Sequence, residues 1–561
     1  MNKIQLENDL TGTLDWQISN PATKREIEGY ASKTSIDQGE SILLFVNTES
    51  DFFSISIYRM GWYNGLGARQ IKTIVDLKGT KQPIPLPDPN FGLLECDWKS
   101  PYTLETDSEW TSGVYVAKLE ENDKGKQSYI LFVVRNDKTF HDIVFQLPVT
   151  TYQAYNFWGG KSLYNWGSGS NTDWGTVSGE HAKKVSFNRP YACSNNKNAA
   201  FGMGAGEFFT NIQPVTTHFF PISSASWDYN MVRWLEKNGY DLGYITNCDT
   251  HRNPTALKRT RVLMSHGHDE YWSHEMRVNI EKALGLGVNL AFFSSNTMFW
   301  QIRFEPSAIT KDHDRTLVCY KDLSDPVSDK FCTVNFRDSP VDNPESKLIG
   351  VQHFMDPVDG DIIVSNEAHW IFKGTHLKNG DKIKGLLGYE IDTVTDHSPK
   401  NIEILTTSPG KNLLENNYIY IIKQIRQKIL RKMNKLTGNS KFVRNIPYIL
   451  GAVILCSIGY LMDKELGASA IIIFMLFLFL MILLCIIYVH RRVKSQNRSL
   501  STKGSSNMTL YTAENGAKVF STGSMQWCWG LDDYNVPKLR TSRKHDDAET
   551  ITRNILSDFL S

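Results

Sequence analysis

The feature that most constrains this chain is the stretch Arg261-Val-Leu-Met-Ser-His-Gly-His-Asp-Glu-Tyr-Trp-Ser273, where a short apolar run stops in a cluster of side chains able to ligate metals, carry protons or donate hydrogen bonds. Val262, Leu263 and Met264 read as the end of a buried strand. Ser273 is placed to cap a helix, because Met276, Ile280, Ala283 and Leu284 recur at helical spacing until Gly285 and Gly287 end it. A second apolar strand covers 288–293. Strand, loaded loop, helix and strand make a βαβ unit. In open α/β sheets ligands gather at the carboxyl ends of the strands, so His266 to Tyr271 are expected to line a site.

A chain of 561 residues, 41% hydrophobic and 22% charged, can bury a large core and is expected to form two or more domains. The formal charge of +1, from 61 basic and 60 acidic residues, gives no electrostatic case for a nucleic-acid partner. Eight scattered cysteines without a CxxC pair are read as reduced thiols. The polar start Met-Asn-Lys-Ile-Gln-Leu-Glu offers no secretory signal.

Residues 1–138 alternate short β-branched and aromatic segments with turns, which predicts a β-sandwich of immunoglobulin-like size. Residues 139–412 read as the first part of an α/β domain, with a strand at 143–148, an unusually aromatic and Asn-rich stretch from Thr150 to Trp166, a helix over 227–238 and a strand over 241–246. Residues 413–507 begin with a basic amphipathic segment and contain two uncharged runs, 446–462 and 466–489, of roughly 17 and 24 residues. These predict a transmembrane hairpin. Both basic flanks then lie on one side, which the bias of Lys and Arg assigns to the cytoplasm, so a membrane location with cytoplasmic main domains and the lipid bilayer as partner are expected. Residues 508–561 return to β-type sequence, close with an amphipathic helix, and complete the α/β domain.

Several motifs together resemble the N,N-dimethylformamidase beta (large) subunit-like family, in particular its C-terminal catalytic domain. They are Gly29-Tyr-Ala-Ser-Lys-Thr-Ser35, Tyr58-Arg-Met-Gly-Trp-Tyr63, Gln146-Leu-Pro-Val-Thr-Thr-Tyr-Gln-Ala-Tyr-Asn156, Val185-Ser-Phe-Asn-Arg-Pro-Tyr191, Gly267-His-Asp-Glu-Tyr-Trp272 and Trp527-Cys-Trp-Gly530. The resemblance implies a multidomain fold, an Ig-like β-sandwich followed by an α/β domain resembling class I glutamine amidotransferases, here interrupted by the hairpin. Those enzymes carry a Cys at the strand-to-helix turn. No Cys lies between Val262 and Ser273, so thiol chemistry is disfavoured there.

The resemblance also implies a mononuclear iron, ferric in state, held by two tyrosines and a glutamate. Tyr271 matches one tyrosine, Tyr229 is the candidate for the second, and Glu390 is the candidate carboxylate, with Glu270 and Glu367 as alternatives. Phenolate and carboxylate are hard anionic donors suited to that ion. Around it, His268 or Asp269 is expected to act as general base, with Glu270 beside them, and Asn296 to donate a hydrogen bond to a developing oxyanion. His266 would do the same or orient its neighbour. A zincin reading is weak, because His266 and His268 lie two apart and His-Glu-x-x-His is absent.

These readings predict a membrane-tethered, metal-dependent hydrolase of C–N bonds in small linear amides. The rival is a non-catalytic ligand-binding module for carbohydrate or peptide, or a scaffold, on the membrane. The substrate expected is a small amide, and the sequence leaves an accessory subunit or a homo-oligomer open.

Overall fold

The computed structural model describes residues 1–169, 179–213, 224–413 and 504–561. Met1–Gly410 and Ser505–Ser561 form one compact unit, and the second unit, Lys411–Gly504, falls almost wholly outside the described residues.

A seven-stranded sheet organises the first unit. Its order is Leu242–Thr246, His141–Leu147, Thr260–Gly267, Asn289–Ser294, Lys518–Ser521, Thr509–Thr512 and Glu403–Ile404. The first five strands run parallel and the last two close the edge antiparallel. Each parallel strand is apolar on both faces, as a sheet covered on both sides requires. Ile143, Phe145, Val262, Met264, Ala291 and Phe293 enter one apolar core. Val144, Leu263, Leu290 and Phe292 enter another, against Met276, Ile280 and Ala283 of the helix His274–Gly285. Ser273 begins that helix by accepting a hydrogen bond from the Met276 amide at 3.1 Å.

The N-terminal strands form a five-stranded sheet (Ser35–Asp37, Gln127–Arg135, Gly113–Glu121, Phe52–Met60, Ala68–Lys78) and a three-stranded one (Ile27–Ala31, Ser41–Thr48, Tyr102–Glu105). Ile55, Ile57, Val116 and Ile130 of these sheets belong to the same continuous core as Phe145, Val262 and Phe293. The joint is also polar. Arg59 meets Glu236 of the helix Asp228–Lys237 at 2.8 Å with both side chains wholly buried, and Tyr63, Tyr244 and Asn8 complete the hydrogen bonding.

These observations correct the expected fold class. An Ig-like sandwich followed by a glutamine amidotransferase-like domain and a transmembrane hairpin is replaced by a mixed α/β, multi-sheet arrangement with few helices, in which the N-terminal sheets share one core with the parallel sheet. The period-two pattern could not say that the buried faces of these strands would be covered by the neighbouring sheet. The membrane hairpin and the membrane location are corrected too. Among the described residues no helix is long and apolar enough to cross a membrane, and the runs 446–462 and 466–489 lie outside the described residues.

Candidate functional site

The strand Thr260–Gly267 lies at the middle of the parallel sheet and delivers its carboxyl end to the site. Gly267 turns the chain there with φ +59°, and a Cβ at this position would meet Trp227 Cβ at 2.9 Å, so only glycine fits. The turn separates the four ionisable side chains that follow one another in the sequence into two groups.

His266 and Asp269 are enclosed by framework partners. His266 Nε2 abuts the carboxylate of Asp228, whose other oxygen accepts from the Tyr152 hydroxyl, while the imidazole packs on Phe145 at 4.2 Å. Asp269 accepts from Gln146 at 2.7 Å, Ser265 at 3.0 Å and Asn247 at 3.2 Å. Burial pushes its carboxyl up, and those donors offset part of the rise. Both residues hold the turn in place.

His268 and Glu270 face the other way, into a buried polar space. The Tyr155 hydroxyl donates to Glu270 at 2.7 Å, the Tyr164 hydroxyl reaches both its oxygens at 3.3 Å, and Tyr271 donates to the Tyr164 hydroxyl. Tyr155 and Tyr164 stack with centroids 4.4 Å apart. Burial opposes ionisation of Glu270, yet His268, Lys321 and Tyr155 outweigh it and hold the carboxyl below the usual range. Burial, then the negative charge of Glu270, pushes all three phenols up.

His268 Nε2 lies 3.3 Å from Glu270 and 3.8 Å from Glu390, with the Asn296 amide nitrogen at 3.4 Å. On its far side the Gln213 amide, which also donates to the buried Glu207, points at Nδ1 from 3.1 Å. The Gln213 and Asn296 amide nitrogens thus face opposite ring nitrogens of His268, with Nε2 on the side of the two carboxyl groups. Glu390 differs sharply from Glu270. Burial first, then the neighbouring charges of Asp356, Glu270 and Asp392, push its carboxyl well above the usual range. Among the described residues its Oε2, 3.7 Å from His353 Nδ1, and the Asn296 Oδ1 are buried without a hydrogen-bond partner. The Asn296 backbone, at φ +51°, is fixed by donation to Asp392 at 2.9 Å.

Tyr229 lies elsewhere. From the first turn of the helix Asp228–Lys237 its hydroxyl donates to the Gly67 carbonyl at 2.6 Å, amid Trp16, Phe208, Phe209 and Tyr534. Glu367 sits in an exposed turn with Asn379. The structure thus gathers Tyr271 with Glu270, and Glu390 with His268 and Asn296, but not Tyr229. Sequence reasoning passed over Tyr155, Tyr164, Gln213 and Lys321. The aromatic density of Thr150 to Trp166 was the signal for the two tyrosines; nothing local marked the other two.

Lys321 places its ammonium 3.3 Å from the centroid of the Tyr164 ring. Loss of water there lowers its pKa to about 8, against the raising influence of Cys319 and Glu270. The unfolded chain keeps this proton to about pH 10.4. The folded form therefore binds fewer protons between about pH 8 and 10.4, and stability should rise with pH across that window. Lys321→Met is expected to flatten the rise, as read by urea denaturation at both ends of the window.

Among the described residues no group of three or more His, Cys, Asp or Glu side chains is arranged to hold a metal ion, and the expected set Tyr229, Tyr271 and Glu390 is not brought together, because the Tyr229 hydroxyl is spent on the Gly67 carbonyl. Two tyrosine hydroxyls, of Tyr155 and Tyr164, lie within hydrogen-bond distance of the Glu270 carboxylate. There a chain of phenolic protons from Tyr271 through Tyr164 and Tyr155 converges on an ionised carboxylate. Hard oxygen donors that share protons around one negative charge fit a hard cation in place of those protons.

Carboxyl, imidazole and phenol groups thus gather at the end of a parallel strand. The chain belongs to the N,N-dimethylformamidase beta subunit-like, C-terminal family, which matches residues 54–542. No curated protein matches. A solved structure of an uncharacterized protein from Bacillus anthracis str. Ames is similar over 24% of this chain and 90% of that chain at 14% identity, with a TM-score of 0.13, too low to carry an argument.

Proposed function

We propose that the chain hydrolyses the C–N bond of small linear amides, and that it does so with a ferric ion held by Glu270, Tyr155 and Tyr164. The observation that carries the reading is the pair of carboxyl groups flanking His268 at 3.3 and 3.8 Å, whose surroundings push one below and the other well above the usual carboxyl range. Environments that drive two acids apart assign them different tasks. Family membership supplies the reaction class. A bound ferric ion supplies Lewis acidity toward an amide carbonyl.

The residues of the chain do the rest. Glu390, its carboxyl held well above the usual range, donates its proton to the departing nitrogen as the C–N bond breaks. The attacking water forms the new C–O bond, and its proton returns to Glu390. His268, with its proton on Nε2, and the Asn296 amide donate toward the carbonyl oxygen as charge builds there. Gln213 and Glu207 keep that tautomer. Asp269 and His266, tied to the framework, take no part in proton transfer.

The test is metal analysis of the full chain together with a screen of formamides and other short amides. Near-stoichiometric iron, a visible tyrosinate charge-transfer band and amide turnover are expected. Tyr155→Phe with Glu270→Gln should lose band and metal, whereas Tyr229→Phe should keep both. Iron that survives the double variant overturns the ligand assignment. Iron-loaded protein inert toward every amide overturns the hydrolase.

A further inference from the structure

Arg189 and Arg315 are almost fully buried, at 2% and 4% exposure, yet among the described residues neither has a carboxylate within ion-pair distance. By contrast the buried Arg59 meets Glu236 and the buried Arg277 meets Glu281, each at 2.8 Å. Arg189 donates from its terminal nitrogens to the carbonyls of Asn156, Trp158 and Lys161, and its Nε has no acceptor. Arg315 donates from Nε to Asn188 and from one terminal nitrogen to the Ala31 carbonyl, and among the described residues its other terminal nitrogen has no acceptor. An uncompensated buried charge is expensive, and proteins normally neutralise it with a counter-charge.

Both arginines line one small cavity of about 20 Å³, together with Lys33, Thr34, Tyr191 and backbone of Gly29 to Ala31. No carboxylate lines it. Space of this size holds one water-sized occupant rather than an organic ligand. We infer that this cavity, at the seam between the strand Ile27–Ala31 and the segment 187–191, binds a single small monovalent anion of chloride type that neutralises Arg189 and Arg315. The site is independent of the proposed hydrolysis. Its connection to the rest of the molecule is mechanical. Tyr191 lies edge-on to Tyr152, whose hydroxyl donates to Asp228 beside His266, so an anion that rigidifies this seam also steadies the framework of the strand end.

The probe is chloride itself, titrated into the full chain in a chloride-free gluconate buffer at constant ionic strength. The melting temperature is expected to rise and saturate with chloride or bromide and to stay flat with gluconate, because only a ligand of the native state stabilises by mass action. Crystals grown in bromide should show an anomalous peak in the cavity. Arg315→Gln should abolish the saturable rise. If that variant fails to fold, the bromide map of the natural chain decides alone. A rise equal for gluconate, or bromide only at surface positions with the cavity free of anomalous signal, overturns the inference.

Discussion

Glu390→Gln is expected to lower kcat for amide hydrolysis by about 10²- to 10⁴-fold, the range by which a positioned proton donor accelerates a reaction. KM should change little, because an amide has nearly the shape of the neutral carboxyl it replaces. The pH dependence gives a second signature. Burial, with Asp356, Glu270 and Asp392, holds the Glu390 carboxyl well above its ordinary value. The active form is the protonated one, so kcat should hold on the acid side of that raised pKa and fall as pH climbs through it. Glu390→Gln should erase this limb while leaving any limb due to other groups. Steady-state kinetics over pH on an iron-loaded sample checks both. A variant with wild-type kcat would remove Glu390 from the reaction.

Arg59→Met should destabilise the folded chain by about 3–5 kcal/mol, the usual effect of removing one partner from a buried ion pair. Its guanidinium and the Glu236 carboxylate are wholly buried and 2.8 Å apart, and Arg59 also donates to the Ser112 carbonyl and the Tyr63 hydroxyl. Loss of the cation leaves Glu236 enclosed with a negative charge. A double change, Arg59→Met with Glu236→Leu, should recover much of the loss, because neither charge is then stranded. Urea denaturation of the four proteins in the cycle measures it. Equal loss in single and double variants would show that packing, not charge, dominates this joint.

The two predictions draw on the sequence to different degrees. The strand-end residues His268 and Glu270 were marked as candidates by their place in the chain, and Glu390 only as the metal-binding carboxylate that the resemblance implies. Their division of labour was not. Tyr229 was chosen for its place at a helix start, where a tyrosine is as readily a packing residue, and its hydroxyl proves to serve the Gly67 carbonyl. Tyr155 and Tyr164 stood in a stretch whose aromatic density was visible but whose target, Glu270, lies more than 100 residues away. The immunoglobulin-like reading failed for a related reason. Alternating apolar residues announce a face to be buried without naming the surface that buries it.

By itself the sequence determined the unit at 260–294. Its apolar strands, the Ser273 cap and the glycines at 285 and 287 are local signals, each satisfied by neighbours a few residues away. It also determined that polar groups would crowd the end of the strand. Only the tertiary structure decided that His266 and Asp269 turn to Asp228 and Gln146 while His268 and Glu270 turn to Glu390 and the tyrosines. That choice depends on the left-handed turn at Gly267 and on partners brought in from distant segments of the chain, and the energy of a buried charge is set by whichever groups surround it in space.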